Sequence, residues 1–149
     1  SLGVELVAMN GEDYYASSGE IAYLERNGES LSNIVLVVNM DALGLRGSDV
    51  AYSFYGCPDD LAARVRTSLA GQAHLVQGEQ WYQSDHMVFA MNGRPAMAIT
   101  SQQFATICTT ISHTEHDVPD LVDVALLAAT ARALHKLLLD LSSMPDERA

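Results

Sequence analysis

The sequence is poor in basic residues, in cysteine and in proline. Only 8 Lys and Arg stand against 19 Asp and Glu, for a net charge of −11. So acidic a chain lacks the basic patches by which proteins hold nucleic acid or an anionic membrane surface, and neither is expected as a partner. The 2 cysteines, Cys57 and Cys108, lie far apart and fit neither a disulfide framework nor thiolate metal-ligand spacing. No apolar run is long enough and free enough of charge to span a membrane. No charged-then-apolar leader opens the chain, which leaves its location open. Repeats and low-complexity linkers are also missing. What remains is 149 residues, 48% of them hydrophobic, enough for a single domain over residues 1–149 with a sizeable core.

The organising stretch is Leu6-Val-Ala-Met-Asn-Gly-Glu-Asp-Tyr-Tyr15. An apolar run, Val4 to Met9, breaks on Asn10-Gly11, and the acids Glu12 and Asp13 follow. Ser17 with Glu20 three positions on has the form of a capping box opening a helix over about 18–27. This reads as strand, tight turn, acids, helix, the order in which a parallel sheet presents a site at its carboxyl edge. Asn33-Ile-Val-Leu-Val-Val-Asn39 is continuously apolar and β-branched, as a central strand covered on both faces would be. It too delivers an acid, Asp41, at its end.

Further along, Val50–Tyr55 reads as a strand. Pro58 opens a helix running to Leu69, and His74–Gln77 reads as a short strand. Gly78 to Gln83 is a loop carrying Trp81, Met87–Met91 a short helix, and Pro95–Thr100 another strand. Residues 101–112 read as irregular, and a long packing helix spans Pro119–Leu141. Strand and helix alternate, which predicts an α/β domain with a mostly parallel sheet between helical layers, α/β/α.

The candidate chemical groups are Glu12, Asp13, Asp41, Asp85, His86, His113, His116 and Asp117. Mixed oxygen and imidazole donors suit zinc, manganese or cobalt. A metal pair activates a shared water, and a carboxylate beside it serves as general base. For each histidine alone, a structural or solvated role is the commoner one; His135, inside the last helix, is read as packing or surface.

Five blocks in order carry a resemblance: Asn10-Gly-Glu-Asp-Tyr14, Asn39-Met-Asp-Ala-Leu-Gly44, Trp81-Tyr-Gln-Ser-Asp-His86 with Phe89, Gly93-Arg-Pro-Ala96, and Ser112-His-Thr-Glu-His-Asp117. The series resembles the dinuclear zinc aminopeptidases, the bacterial leucyl-type enzymes whose relatives include glutaminyl cyclases and glutamate carboxypeptidases. The resemblance implies a peptide substrate and a zinc cofactor, two ions in the complete site. It implies Glu12 as general base toward the metal-bridging water, Asp13 and Asp41 as acids on one zinc, and His113 as a ligand of the other. It further implies that Asp85 hydrogen-bonds beside the substrate pocket, that Asp117 orients the histidine loop, and that Tyr14 and Trp81 line the pocket.

The family's His-x-Asp motif, which supplies another histidine and the bridging aspartate, has no counterpart here. The resemblance therefore implies the C-terminal half of a catalytic domain, a truncated zinc-exopeptidase fold inactive or nearly so alone. It also implies an exposed sheet edge through which copies would pair as a homo-oligomer, and relatives that are often secreted or periplasmic.

Overall fold

The computed structural model describes residues 2–12 and 17–143. Its centre is the strand whose every residue is buried, β4 (Ala96–Ser101). β4 pairs in parallel with β1 (Val37–Met40) on one side and antiparallel with β2 (Val50–Tyr55) on the other. β2 pairs in parallel with the short β3 (Leu75–Gln77), giving the order β1-β4-β2-β3. Alternation along β4 sorts the core into two faces. Met97 and Ile99 point to one, where Val50 and Tyr52 of β2 meet Leu61, Val65 and Leu69 of α2 (Asp59–Leu69) and Ala133, Leu137 and Leu141 of α5 (Val124–Ser142). Ala96 and Ala98 point to the other, where small side chains admit Tyr55, Trp81 and the apolar side of α3 (His86–Met91). Helices thus cover both faces of a mixed, mostly parallel sheet, the three-layer α/β/α class expected. No helix among the described residues is long and apolar enough to cross a membrane. Cys57 and Cys108 are free thiols.

Several local expectations are corrected. Residues 2–10 form no strand. Leu6 is 91% exposed, and the segment makes none of the sheet's ladder bonds. The apolar run after Asn33 becomes a strand only from Val37, and it lies at the sheet's edge rather than its middle. A continuous apolar run specifies burial of both faces but not of both edges. α1 (Ser18–Asn27) spans the expected residues, yet no capping box forms. Ser17 sits at φ 39°, ψ 50°, and its side chain makes no cap bond. Residues 101–112 are not irregular: α4 (Phe104–Thr106) runs into a π-helical turn over Ile107–Ile111. The last helix starts at Val124 after a separate 3-10 turn, Pro119–Leu121, with Asp123 accepting from the Leu126 amide as its cap.

The loop leaving β1 is fastened from three directions. Asp41 donates its amide to the Ile99 carbonyl, and Ala42 O accepts from both the Ser101 amide and the Ser101 hydroxyl. Gly44 O accepts from the Asp123 amide at 2.7 Å. Gly44 itself has φ +86°, and a Cβ there would lie 2.8 Å from Leu127 Cδ2. Gly44→Ala is therefore expected to cost about 1–3 kcal/mol through strain and overpacking. Gly47→Ala, at φ +78° in open space, is expected to cost about 1 kcal/mol, from the backbone alone. Equal melting temperatures for the two variants would contradict the close approach of this loop to α5.

Candidate active site

Asp41 stands just past the carboxyl end of β1, where its backbone is held by β4. Its side chain is aimed by a chain of hydrogen bonds from the opposite helix start. The Ser84 hydroxyl donates to Asp41 Oδ2 at 2.9 Å and accepts from Asn39 Nδ2 at 2.9 Å. The same Asn39 amide nitrogen lies 3.3 Å from His86 Nδ1, and His86 Nε2 lies 2.9 Å from the Trp81 carbonyl oxygen. A carbonyl only accepts, so Nε2 carries the proton and Nδ1 accepts from Asn39, a tautomer assigned from these partners. Each Asn39 N–H then has its own acceptor. The network is complete only with a neutral imidazole. His86 is fully buried, and that burial holds its pKa below the ordinary histidine value, against the upward pull of the Trp81 carbonyl and the Asp41 charge.

Behind His86 the packing is aromatic. Its ring centroid is 4.3 Å from that of Tyr55 and 4.9 Å from that of Trp81, and Trp81 lies against Phe104 at 4.5 Å. Tyr55 closes the arrangement: its hydroxyl donates to the Trp81 carbonyl and accepts from the Trp81 amide at 2.6 Å. Asn39, Ser84 and Tyr55 went unremarked in the sequence. The signal for the first two was their place beside Asp41 and Asp85 in the matched blocks. Tyr55 carried none.

Asp85, at the start of α3, faces two other acids. The charges of Glu20 of α1 and of Asp41 both act on it, and its Oδ1 is buried without a hydrogen-bond partner among the described residues. Burial first, then Glu20 and Asp41, push its pKa up to about 6. Asn39, Asp85 and Phe89 also border an open cavity of about 620 Å³ between the N-terminal segment, at Val7, and the apolar wall of Val38 and Leu138.

The remaining expected residues are placed as follows. Glu12 is half-buried on the turn after Gly11. Asp13 and Tyr14 lie outside the described residues. Trp81 is packed in the core, only 9% exposed. His113 is exposed at φ 61° on the turn after the π-helix, and Asp117 is exposed, its amide bonded to the Thr114 carbonyl. Zinc asks for three or four donors converging on one point. Among the described residues no group of three or more His, Cys, Asp or Glu is so arranged. Asp41 Oδ2 is engaged by Ser84. The described residues alone do not fit a metal site, and Asp41 is the one implied ligand around which this network is built.

A family model described as Peptidase family M28 matches residues 1–138. No curated protein and no solved structure matches the chain.

Proposed function

The chain belongs to peptidase family M28, and from that premise we propose that it is part of the catalytic domain of a zinc-dependent aminopeptidase. The observation that supports the reading is Asp41, held at a strand's carboxyl end by a serine, an asparagine and a buried neutral histidine. So much polar burial around one carboxylate is costly unless that carboxylate has a fixed task. In this reading Asp41 and Asp13 would hold one zinc and His113 the other, and a bound metal would supply Lewis-acid polarisation of a peptide carbonyl. Glu12 takes the proton of the attacking water. Asp85 and Tyr14 border the substrate, and Asp117 steadies the histidine loop. Residues 1–149 form a single unit that lacks the bridging aspartate, so the chain alone is inactive or nearly so.

The test is a zinc titration run beside a peptide panel. Fewer than two tightly held zinc ions per chain are expected, and any hydrolysis should release the N-terminal residue. Two tight ions with brisk turnover would overturn the partial-domain reading. Release from the C-terminus, or cyclisation of N-terminal glutamine, would overturn the aminopeptidase reading in favour of a carboxypeptidase or cyclase relative.

One observation favours a second reading, a non-catalytic module of the same fold that pairs with another copy. β1 is an edge strand, and Met40 at its end is 55% exposed. The mass in solution decides: a strictly monomeric, well-folded chain would remove this reading.

A further inference from the structure

We infer that Ser101 is a positioning residue: its hydroxyl holds Ala42 in the left-handed conformation that ends β1 with the Asp41 carboxylate facing Ser84. The sign of it is a missed step in the ladder. In a parallel pair the hydrogen bonds are evenly spaced. Val37 donates its amide to the Pro95 carbonyl and Asp41 to the Ile99 carbonyl, which keeps the register of Val37 opposite Ala96. On that register the Ser101 amide would next meet the Asp41 carbonyl. It meets the Ala42 carbonyl instead, at 3.2 Å. One extra residue is thus inserted in the β1 side, and Ala42 takes it up at φ 52°. The arrangement is a bulge, which bends a strand and re-aims the chain.

Left-handed alanine is disfavoured on the order of tenfold, because its Cβ crowds the following carbonyl oxygen. Something must hold it there, and Ser101 is placed to do so. The residue is fully buried. Its hydroxyl donates to the Ala42 carbonyl at 2.6 Å and accepts from the Leu45 amide at 3.2 Å. One side chain therefore spans the loop from its first residue to its fourth. Without the hydroxyl, the Leu45 amide loses its acceptor in a half-buried place, and the Ala42 carbonyl keeps only the Ser101 amide.

The far end of the loop is pinned independently. The Gly44 carbonyl accepts from the Asp123 amide at 2.7 Å, and Leu45 forms a bridge with Val122. With both ends held, a change of φ at residue 42 can be absorbed only by its neighbours, and the neighbour before it is Asp41. Asn39 and Asp41, two residues apart, lie on the same side of the chain and both bond the Ser84 hydroxyl. Were Ala42 to relax to negative φ, the Asp41 carboxylate would swing off Ser84. That a displaced Asp41 would also weaken a metal site rests on the peptidase reading; the clamp itself does not.

The experiment is NMR of the full chain as the parent, Ser101→Ala, Ala42→Gly and the double variant. Two signals are followed. The three-bond couplings report φ at residue 42, and the Asn39 side-chain amide, set between Ser84 and His86, reports the network around Asp41. In Ser101→Ala the ratio of left-handed to right-handed residue 42 should fall roughly tenfold or more, and the Asn39 signal should shift with it. Adding Ala42→Gly should return on the order of tenfold and bring the Asn39 signal back, because glycine takes positive φ freely. A serine that only filled space would not be rescued from position 42. Ala42→Gly alone gives an independent check if Ser101→Ala does not fold. Its urea midpoint should hold or rise, whereas the same change at negative φ lowers stability. Parent-like couplings and Asn39 shifts in Ser101→Ala would overturn the clamp, as would a double variant without rescue or a lowered midpoint in Ala42→Gly. Neither hydrolysis nor metal is measured, so failure here and failure of the peptidase reading are separate results.

Discussion

Replacing His86 by alanine is expected to lower the stability of the chain by roughly 3–5 kcal/mol, combining a core cavity with a broken polar network. That is a large part of the about 5–15 kcal/mol that holds a typical domain together, and a fall in melting temperature on the order of 10 °C should accompany it. The imidazole is fully buried between Tyr55 and Trp81. Its removal leaves a void and strips one acceptor from Asn39. His86→Leu separates the two costs: it fills most of the space and makes neither bond, so about 1–3 kcal/mol should remain. If His86→Ala costs under about 1 kcal/mol by urea denaturation, the ring is not the keystone of the network.

The same residue gives the chain a signed pH dependence. The folded pKa of His86 is lowered, so the folded state holds the neutral form. Its contribution is fully present above the unfolded value of about 6.5 and is lost as pH falls below that toward the folded pKa. A protonated ring would aim Nδ1–H at the Asn39 N–H. The amide would then have to turn over and give up Ser84, and with it the hold on Asp41 Oδ2. Asp85 works in the opposite sense. Its folded pKa is raised, so its proton stabilises the folded chain at low pH, and that contribution fades as pH rises from about 4 to about 6. The melting gap between the parent chain and His86→Leu should therefore narrow from pH 7 to pH 5, while the gap to Asp85→Asn moves the other way.

How much of this was legible beforehand follows from which forces write themselves into local sequence. β2, α1, α2, α3 and β4 were readable because their runs of apolar residues are cut by turn residues that act within a few positions: Pro58, Gly71, and Asn92 with Gly93. The strand over Val4–Met9 was misread because a strand needs a partner. The run has the composition but no neighbour to complete its hydrogen bonds. The place of β1 at the edge, and of β4 at the centre although it comes last, depends on pairings between residues far apart in sequence, which no window reports. The capping box failed because Ser17 sits in the left-handed region, at φ 39° and ψ 50°, and its side chain makes no cap bond, a backbone conformation that residue spacing does not show. At the site, Asp41 and Asp85 were legible through the ordered blocks. His86 was already a candidate group, but its role as a support was not legible, nor were Asn39 and Ser84, because the three matter only through one another. Membership of the peptidase family was readable across nearly the whole chain, whereas Asp13 and Tyr14 lie outside the described residues.

Ile99→Ala is expected to cost about 3–5 kcal/mol, near the top of the range for truncating a buried aliphatic side chain, because the site has no room to relax. Ile99 is fully buried on β4, an inner strand of the sheet, and its side chain lies in the cluster that joins β2, α2 and α5. Leu137, also fully buried, belongs to the same cluster. The pair of truncations to alanine should therefore depart from additivity by about 0.5–3 kcal/mol. Leu139→Ala, two residues on but 56% exposed, should cost under about 0.5 kcal/mol. Urea midpoints would show this, with the slope unchanged if only the folded state is affected. The comparison also separates fold from site. Asp41 is bonded to the Ile99 carbonyl and not to its side chain, so in the molecules of Ile99→Ala that remain folded the Ser84–Asp41 bond should persist. Loss of cooperativity in that variant together with a displaced Asp41 would mean that the carboxylate is positioned by packing rather than by the backbone ladder and the Ser84 hydroxyl.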